Sequence, residues 1–408
     1  MKKVHGPLEG YLAIECASYM AGPVATKVLA DFGARVIRIE PVTGDPSRGF
    51  NRLFGPKCPS ENNTMNETLH GNKENISLNL KTEEGAAIMR QLLDKADVFM
   101  TNYTIPTLKH LHITYEELHE QYPRMVYGYV NGLGEKGKDA GRPGFDITSY
   151  WSRGGVFSQL GDPGSEPMAI TSGMGDNPTG ISLAAGILAA LIEREKTGYG
   201  DKVTAALYHT AIWTNNMELC ASNYVDVKRG SRRLPKSAFT NTYCASDGRW
   251  LTICLMRPDV EFPILCEAGE NPELPKDPRF IGATNMFINR GALVEEISKM
   301  FAKFTRDEWE VRLTQRRLPY EIHQTFKEIL HDQQALDNEF LMPVTYPNGS
   351  VGLAPTIPVK LASYGTTSAL NYAALQGEQT VDIMRELGYS DEDIARMDAE
   401  NKVFVHKS

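Results

Sequence analysis

Cysteine is scarce, with six in 408 residues. Cys16, Cys58, Cys220, Cys244, Cys254 and Cys266 form no CxxC pair and have no histidine at zinc-finger spacing. That spacing excludes a disulfide framework and a structural zinc site, so buried thiols are expected and no metal is assigned. Long apolar runs are missing too. The longest, Ile181 to Ile192, falls well short of the roughly 20 residues that span a bilayer, and Met1-Lys2-Lys3-Val4-His5-Gly6-Pro7 leads into no signal-like segment. The expectation is a cytoplasmic protein with no membrane partner, in which the glycosylation triplets at Asn62, Asn66, Asn75, Asn102 and Asn348 go unused. Positive charge is in deficit: the net charge is −8, which excludes a dedicated nucleic-acid binder. The Walker lysine pattern, HExxH and GxSxG are absent, and with them the local signs of nucleotide hydrolysis, zinc proteolysis and serine hydrolysis.

What remains is an ordinary globular composition, 41% hydrophobic and 23% charged, in a chain long enough for two domains. Leu12 to Cys16 reads as a strand, Pro23 to Leu29 as the opening of a helix ended by Gly33, and Arg35 to Glu40 as the next strand. The alternation repeats. Thr82 caps a helix to about Lys95, Val98 to Asn102 is strand-like, Tyr115 to Gln121 helical, and Met125 to Val130 a strand. A long helix after Asn177 ends near Lys196-Thr197-Gly198, Lys202 to Ala206 returns as a strand, and a helical stretch runs through Asn223. This grammar predicts an α/β fold with a mostly parallel sheet in a large domain over 1–223. The texture then changes. Thr240 to Ala245, the turn Ser246-Asp247-Gly248, and Trp250 to Leu255 predict a hairpin, and Ala292 to Ala302 and Arg306 to Leu313 predict helices of a smaller α+β domain over 224–328. Residues 329–408 return to the first domain, with Thr380 to Leu387 and a helix capped by Ser390 packing against it.

The most chemically suggestive stretch is Ser172-Gly173-Met174-Gly175-Asp176-Asn177-Pro178-Thr179-Gly180 at the mouth of the long helix. With Asn177 as N-cap and Pro178 in the first helical position, Asp176 lies near the positive end of the helix, where a carboxylate stays ionised. The flanking glycines would leave a large substrate room to reach it. Local pattern alone favours a simple capping role. Gly132-Leu133-Gly134-Glu135-Lys136-Gly137 satisfies GxGxxG after a strand, but Lys138 to Gly144 continues as a polar loop, so no dinucleotide fingerprint is assigned. Lys136, Lys138 and Arg142, with Arg48, Lys73 and Lys109 from other crossovers, could receive phosphates at the carboxyl edge of a parallel sheet. His70, His110 and His209 form no triad or metal spacing.

Motifs in order along the chain add a second line. They are Ala21-Gly22-Pro23, Asp31 to Glu40, Gly44-Asp45-Pro46-Ser47-Arg48, Asn72-Lys73, Ala96-Asp97-Val98 with Asn102-Tyr103, Pro143-Gly144-Phe145-Asp146, Gly175-Asp176, Lys196 to Val203, Leu318-Pro319, Asp332-Gln333-Gln334 and Leu387-Gly388-Tyr389. In these the chain resembles the family III CoA-transferases, the group that includes formyl-CoA and carnitine CoA-transferases. It is most similar to the branch serving 2-hydroxyacyl-CoA dehydratases in amino-acid-fermenting anaerobes.

The resemblance implies a Rossmann-like large domain formed by both chain ends, a smaller domain, and an interlocked homodimer. It implies no tightly bound cofactor, with coenzyme A entering as part of donor and product, and a free carboxylic acid such as phenyllactate or 2-hydroxyisocaproate as acceptor. Asp176 takes the role of covalent nucleophile. CoA-binding positions implied are Met20, Arg48, Lys73, Asn102, Tyr103, Lys109, Lys136, Phe145 and Asp146, and backbone N–H groups of the glycine turn or of the small domain would meet the thioester oxygen. Departures fall at Glu74 and Gln379, where the family often has Arg and His, and at His110, which stands where several members have a CoA-contacting arginine. Related racemases carry a histidine before the aspartate of a Gly-His-Asp stretch. Here that position is Phe145, which cannot carry a proton. Phe145, Trp151, Met168, Met174 and Met256 are the apolar candidates for the acyl site.

Overall fold

The structure, a computed structural model, describes residues 2–55, 64–171 and 173–407. Cys58 and Ser172 lie outside them. The chain divides into two units: Met1–Val156, Ile170–Leu219 and Leu330–Ser408 in the larger, Phe157–Ala169 and Cys220–Ile329 in the smaller.

In the larger unit, β1 (Leu12–Cys16), β2 (Arg35–Glu40), β3 (Glu74–Leu78), β4 (Val98–Thr101), β5 (Val126–Asn131) and β6 (Lys202–Ala206) are mutually parallel. Their spatial order, 3-2-1-4-5-6, reverses direction between β1 and β4, and that switch point opens the crevice where doubly wound sheets place ligands. Period-two alternation sorts the strands' two faces. Ile14, Cys16, Ile37 and Ile39 join one apolar core with Ile88, Met89, Ile383, Met384, Ile394 and Met397. The opposite face of β1 and β2 presents Glu15, Arg38 and Glu40, all buried.

Those charges are matched locally. Lys73 donates to Glu15 at 2.7 Å and to the Pro23 carbonyl at 2.7 Å, Arg38 lies 3.0 Å from Asp45, and Arg48 donates to both oxygens of Glu40 at 2.6 Å. The result is a buried ion lattice that ties the first helix (Ala21–Asp31) to the sheet. That helix packs closely on the long helix (Asp176–Thr197): a Cβ on Gly180 would lie 2.6 Å from the Ala21 carbonyl oxygen.

In the smaller unit, β7 (Thr240–Cys244), β8 (Trp250–Cys254) and β9 (Tyr320–Ile322) form an antiparallel sheet, the first two joined by the expected Ser246-Asp247-Gly248 turn. Its core stacks Tyr243, Phe301 and Trp309, the last two 4.3 Å apart between ring centroids. Phe157–Ala169, which the sequence reading left in the first domain, groups with this unit. Arg229 holds it by donating to the Phe157, Ser158 and Asp162 carbonyls and to the Ser165 hydroxyl.

After the return, β10 (Leu341–Thr345) and β11 (Val351–Pro355) form a hairpin, and β12 (Val403–Phe404) pairs antiparallel with β3 to close one edge of the main sheet. The expected helices there run Thr380–Glu386 and Asp391–Ala399, the second capped by Ser390. Among the described residues no helix is long and apolar enough to cross a membrane. Cys16 and Cys266 are buried as expected; Cys220 and Cys254 are exposed, a correction to the expectation of six buried thiols.

Candidate active site

Asp176 is the first residue of the long helix and half-buried. The cap differs from the sequence expectation. Gly175 occupies the cap position, Asn177 lies inside the helix and is exposed, and its N–H donates to the Gly173 carbonyl at 3.1 Å. What shapes the turn is Asp146, 27 residues upstream of Gly173 in the chain. Its buried carboxylate accepts from the Gly173 N–H at 2.8 Å, the Gly175 N–H at 2.9 Å and the Trp151 indole N–H at 3.2 Å. Asp146 opens a π-helix, Asp146–Arg153, absent from the sequence reading. Its wider register returns Trp151, five residues on, to the same carboxylate.

The two glycines are required by packing more than by substrate access. A Cβ on Gly175 would lie 2.2 Å from Tyr150 Cγ and 2.5 Å from Asp146 Oδ1. Gly173 has φ +88°, and a Cβ there would meet Met20 Cε at 2.5 Å. Met20 is thereby placed against the turn that leads into Asp176. The Gly173 and Gly175 N–H groups, candidates for the thioester oxygen, are spent on Asp146.

The electrostatics also depart from the expectation. Burial, and secondly the negative charge of Asp146, push the Asp176 carboxyl up to about 7. The helix N-terminus favours the anion, but desolvation and a like charge outweigh it. A carboxylate that is half protonated near neutrality is a better nucleophile when ionised than one with an ordinary pKa, and is ionised less of the time.

The switch-point segment reaches this turn through Met20. Asn102, past the end of β4, accepts from the Ser18 N–H at 3.0 Å and donates to the Ser18 carbonyl at 2.7 Å, fixing the segment that leads to Tyr19 and Met20. Tyr19 has φ +62° and packs edge-on against Phe145, centroids 5.6 Å apart, with Phe50 at 6.4 Å. Phe145 is 52% and Met174 57% exposed, so both offer apolar surface. Trp151 does not: it is 4% exposed, and as a candidate acyl contact it is corrected to a structural one. In the smaller unit, Met168 and Met256 are exposed.

Of the cations, Lys109 and Lys136 are exposed, as is Lys138, while Arg142 pairs with Asp139 at 3.3 Å. Lys73 is 1% exposed, committed to Glu15, and lowered by burial to about 8. Arg48 turns its fork to Glu40. Neither is presented to a phosphate, and the signal that would have shown it, acidic residues on the non-core face of β1 and β2, was in the sequence. Tyr103 is half-buried beside Cys16. Gln379 accepts from the Asn75 N–H at 2.8 Å and Glu74 pairs with Arg35 at 2.7 Å, so both departures from the family pattern serve the fold. Among the described residues no cluster of His, Cys, Asp and Glu is arranged to hold a metal ion.

Comparison with known proteins gives the arrangement its context. Residues 8–374 match the model for CoA-transferase family III. The chain is 35% identical to the (R)-2-hydroxy-4-methylpentanoate CoA-transferase of Clostridioides difficile, over 95% of this chain and 97% of that one. It is 34% identical to the cinnamoyl-CoA:phenyllactate CoA-transferase of Clostridium sporogenes, over 98% and 97%. A crystal structure of a CaiB/BaiF family protein from Brucella suis superposes with a TM-score of 0.81 at 27% identity, covering 94% of this chain and 99% of that one. With matched motifs along nearly its whole length and an aspartate held at a helix mouth beside the sheet's switch-point loop, the chain belongs to CoA-transferase family III, enzymes that move coenzyme A between an acyl-CoA and a carboxylic acid.

Proposed function

We propose that this enzyme moves CoA from an acyl- or enoyl-CoA to an (R)-2-hydroxy acid with a branched or aromatic side chain, and that Asp176 is the covalent nucleophile. The observation that carries the proposal is the Asp146-anchored turn, which packs on Met20 at Gly173 and leads directly into Asp176. The likeness to relatives named for 2-hydroxy-4-methylpentanoate and phenyllactate supports the acceptor class.

An Asp176 oxygen attacks the donor's thioester carbonyl; the C–S bond breaks, CoA leaves as thiolate, and a mixed anhydride remains. The thiolate then attacks the aspartyl carbonyl, forming an aspartyl-CoA thioester and releasing the donor acid as carboxylate. The acceptor carboxylate attacks that thioester, giving a second anhydride and thiolate, and the thiolate attacks the acceptor's acyl carbon to release acyl-CoA and regenerate Asp176. No proton, electron or phosphate is consumed, because the anhydride retains the thioester's activation. CoA phosphates fall to the exposed Lys109 and Lys136, and Met20, Asn102, Tyr103 and Phe145 line the approach of the pantetheine and acyl parts. Tyr19 and Phe145 make the acyl side apolar, and such a surface separates neighbouring acids by only about 1–3 kcal/mol per methylene. A working pair with a 2-hydroxyacyl-CoA dehydratase follows from this acceptor class.

Incubation with acyl-CoA followed by hydroxylamine should modify Asp176, read by peptide mass spectrometry. The Asp176→Ala protein should bind CoA and show no exchange. With one donor, phenyllactate and 2-hydroxyisocaproate should exceed oxalate, carnitine and lactate in kcat/KM. Modification elsewhere would sink the nucleophile, and preference for oxalate or carnitine would sink the acceptor class. Deuterium entering Cα of a 2-methylacyl-CoA with no acceptor acid would identify a racemase.

A further inference from the structure

We infer that Asp146 is a positioning residue for the transfer reaction, one buried carboxylate that fixes the turn leading into the nucleophile. The inference rests on the assignment of Asp176 above, and the geometry is specific. Asp146 is 5% exposed, and its two oxygens divide their bonds: Oδ1 accepts from Gly175, Oδ2 from Gly173 and Trp151. The two amides it holds bracket Met174 and end at the residue before Asp176, so the carboxylate determines where the helix begins. No neutral side chain of this size serves as well. An asparagine in the same pose would turn an NH2 toward one or two N–H donors and lose those bonds.

The same charge acts on Asp176. Among the described residues, Asp146 is the neighbour whose negative charge acts on Asp176; Met20 carries no charge, and the first turn of the long helix continues with Asn177, Pro178 and Thr179. The placement has a kinetic use. A carboxylate facing a like charge in a half-buried site loses that repulsion when its oxygen becomes acylated, so the ground state is raised relative to the anhydride.

Rate measurements across pH 5–9 on Asp146→Asn and Asp146→Glu test this. In the wild type the acid limb of kcat/KM for the acyl-CoA should fall near the pKa of Asp176. In Asp146→Asn the limb should move toward lower pH by about one unit, while kcat at the optimum falls at least tenfold because the turn is released. In Asp146→Glu the charge persists and the reach is wrong, so kcat should fall with the limb nearly unmoved. An equal loss at every pH in both variants, with no movement of the limb, would reduce Asp146 to scaffold and overturn the proposal. Should the Asn protein not fold, Asp146→Glu decides alone: unchanged kcat would refute positioning. Retained hydroxylamine labelling of Asp176 in either variant keeps a failure here distinct from a failure of the nucleophile assignment.

Discussion

A carboxyl pushed up to about 7 leaves a mark on stability as well as rate. Unfolded, Asp176 titrates near its ordinary 3.8. Between about pH 4 and 7 the native state therefore binds more protons than the unfolded chain, so the residue's contribution to stability declines as pH rises through that window and remains unfavourable above it. Asp176→Asn, uncharged at every pH, should melt at a higher temperature than the wild type at pH 8. The difference should shrink as pH approaches 4. Calorimetry at three pH values checks this, and equal melting at pH 8 would show that the anion is not disfavoured. Such a gain is the usual companion of a functional group held against its own preference. The place of this residue, at a glycine-flanked turn opening a helix, was legible in the sequence. Its charge state was not, because both causes, burial and Asp146, come from elsewhere in the chain.

At the scale of elements, local signals were read well and distant ones were not. Thr82 and Ser390 accept from the third residue of their helices as expected, and Lys202–Ala206 is a strand with the expected bounds, because caps and short apolar alternations are written within a few residues. The Asn177 cap failed because a carboxylate 29 residues before Gly175 holds the turn instead. Lys73 depends on a distant residue in the same way: its partner, Glu15, lies 58 residues earlier, and an isolated Asn-Lys pair cannot announce that. The lattice also assigns Lys73 a task, joining the Pro23 carbonyl of the first helix to β1. Lys73→Met should cost about 3 kcal/mol or more in denaturant unfolding, the cost of leaving a buried carboxylate without its cation, with KM for the acyl-CoA nearly unchanged. A raised KM at undiminished stability would return Lys73 to the phosphate.

For the whole molecule, the sequence reading set boundaries at 223/224 and 328/329, and the compact units divide at 219/220 and 329/330, with a further excursion at 157–169. The excursion of Phe157–Ala169 into the smaller unit was not foreseen, since it depends on Arg229 reaching carbonyls about 70 positions away. The larger unit leaves Trp213 73% and Met217 77% exposed on neighbouring helices, Leu207–Thr214 and Asn216–Ala221. Apolar surface of that kind suits an interaction site, and we propose that an interlocked homodimer covers it. Sedimentation velocity should find a dimer at every concentration down to the nanomolar range, with loss of dimer coinciding with unfolding. Folded monomer at low concentration would contradict it.

The pairing of β12 with β3 also has a consequence in time. A ribosome releases the chain from its amino end, so β1, β2 and β3 are available long before Val403 and Phe404 emerge. Throughout that interval the outer edge of β3, Glu74–Leu78, has no neighbour, and the apolar face under Ile383, Met384, Ile394 and Met397 is uncovered. An unpaired strand edge beside bare apolar surface is the kind of intermediate that associates with itself. The smaller unit is drawn mostly from the continuous stretch Cys220–Ile329 and faces no such wait. Synthesis thus completes the inserted unit first and the larger unit, which carries Asp176, last, which makes the larger unit the one most in need of protection while it is being made.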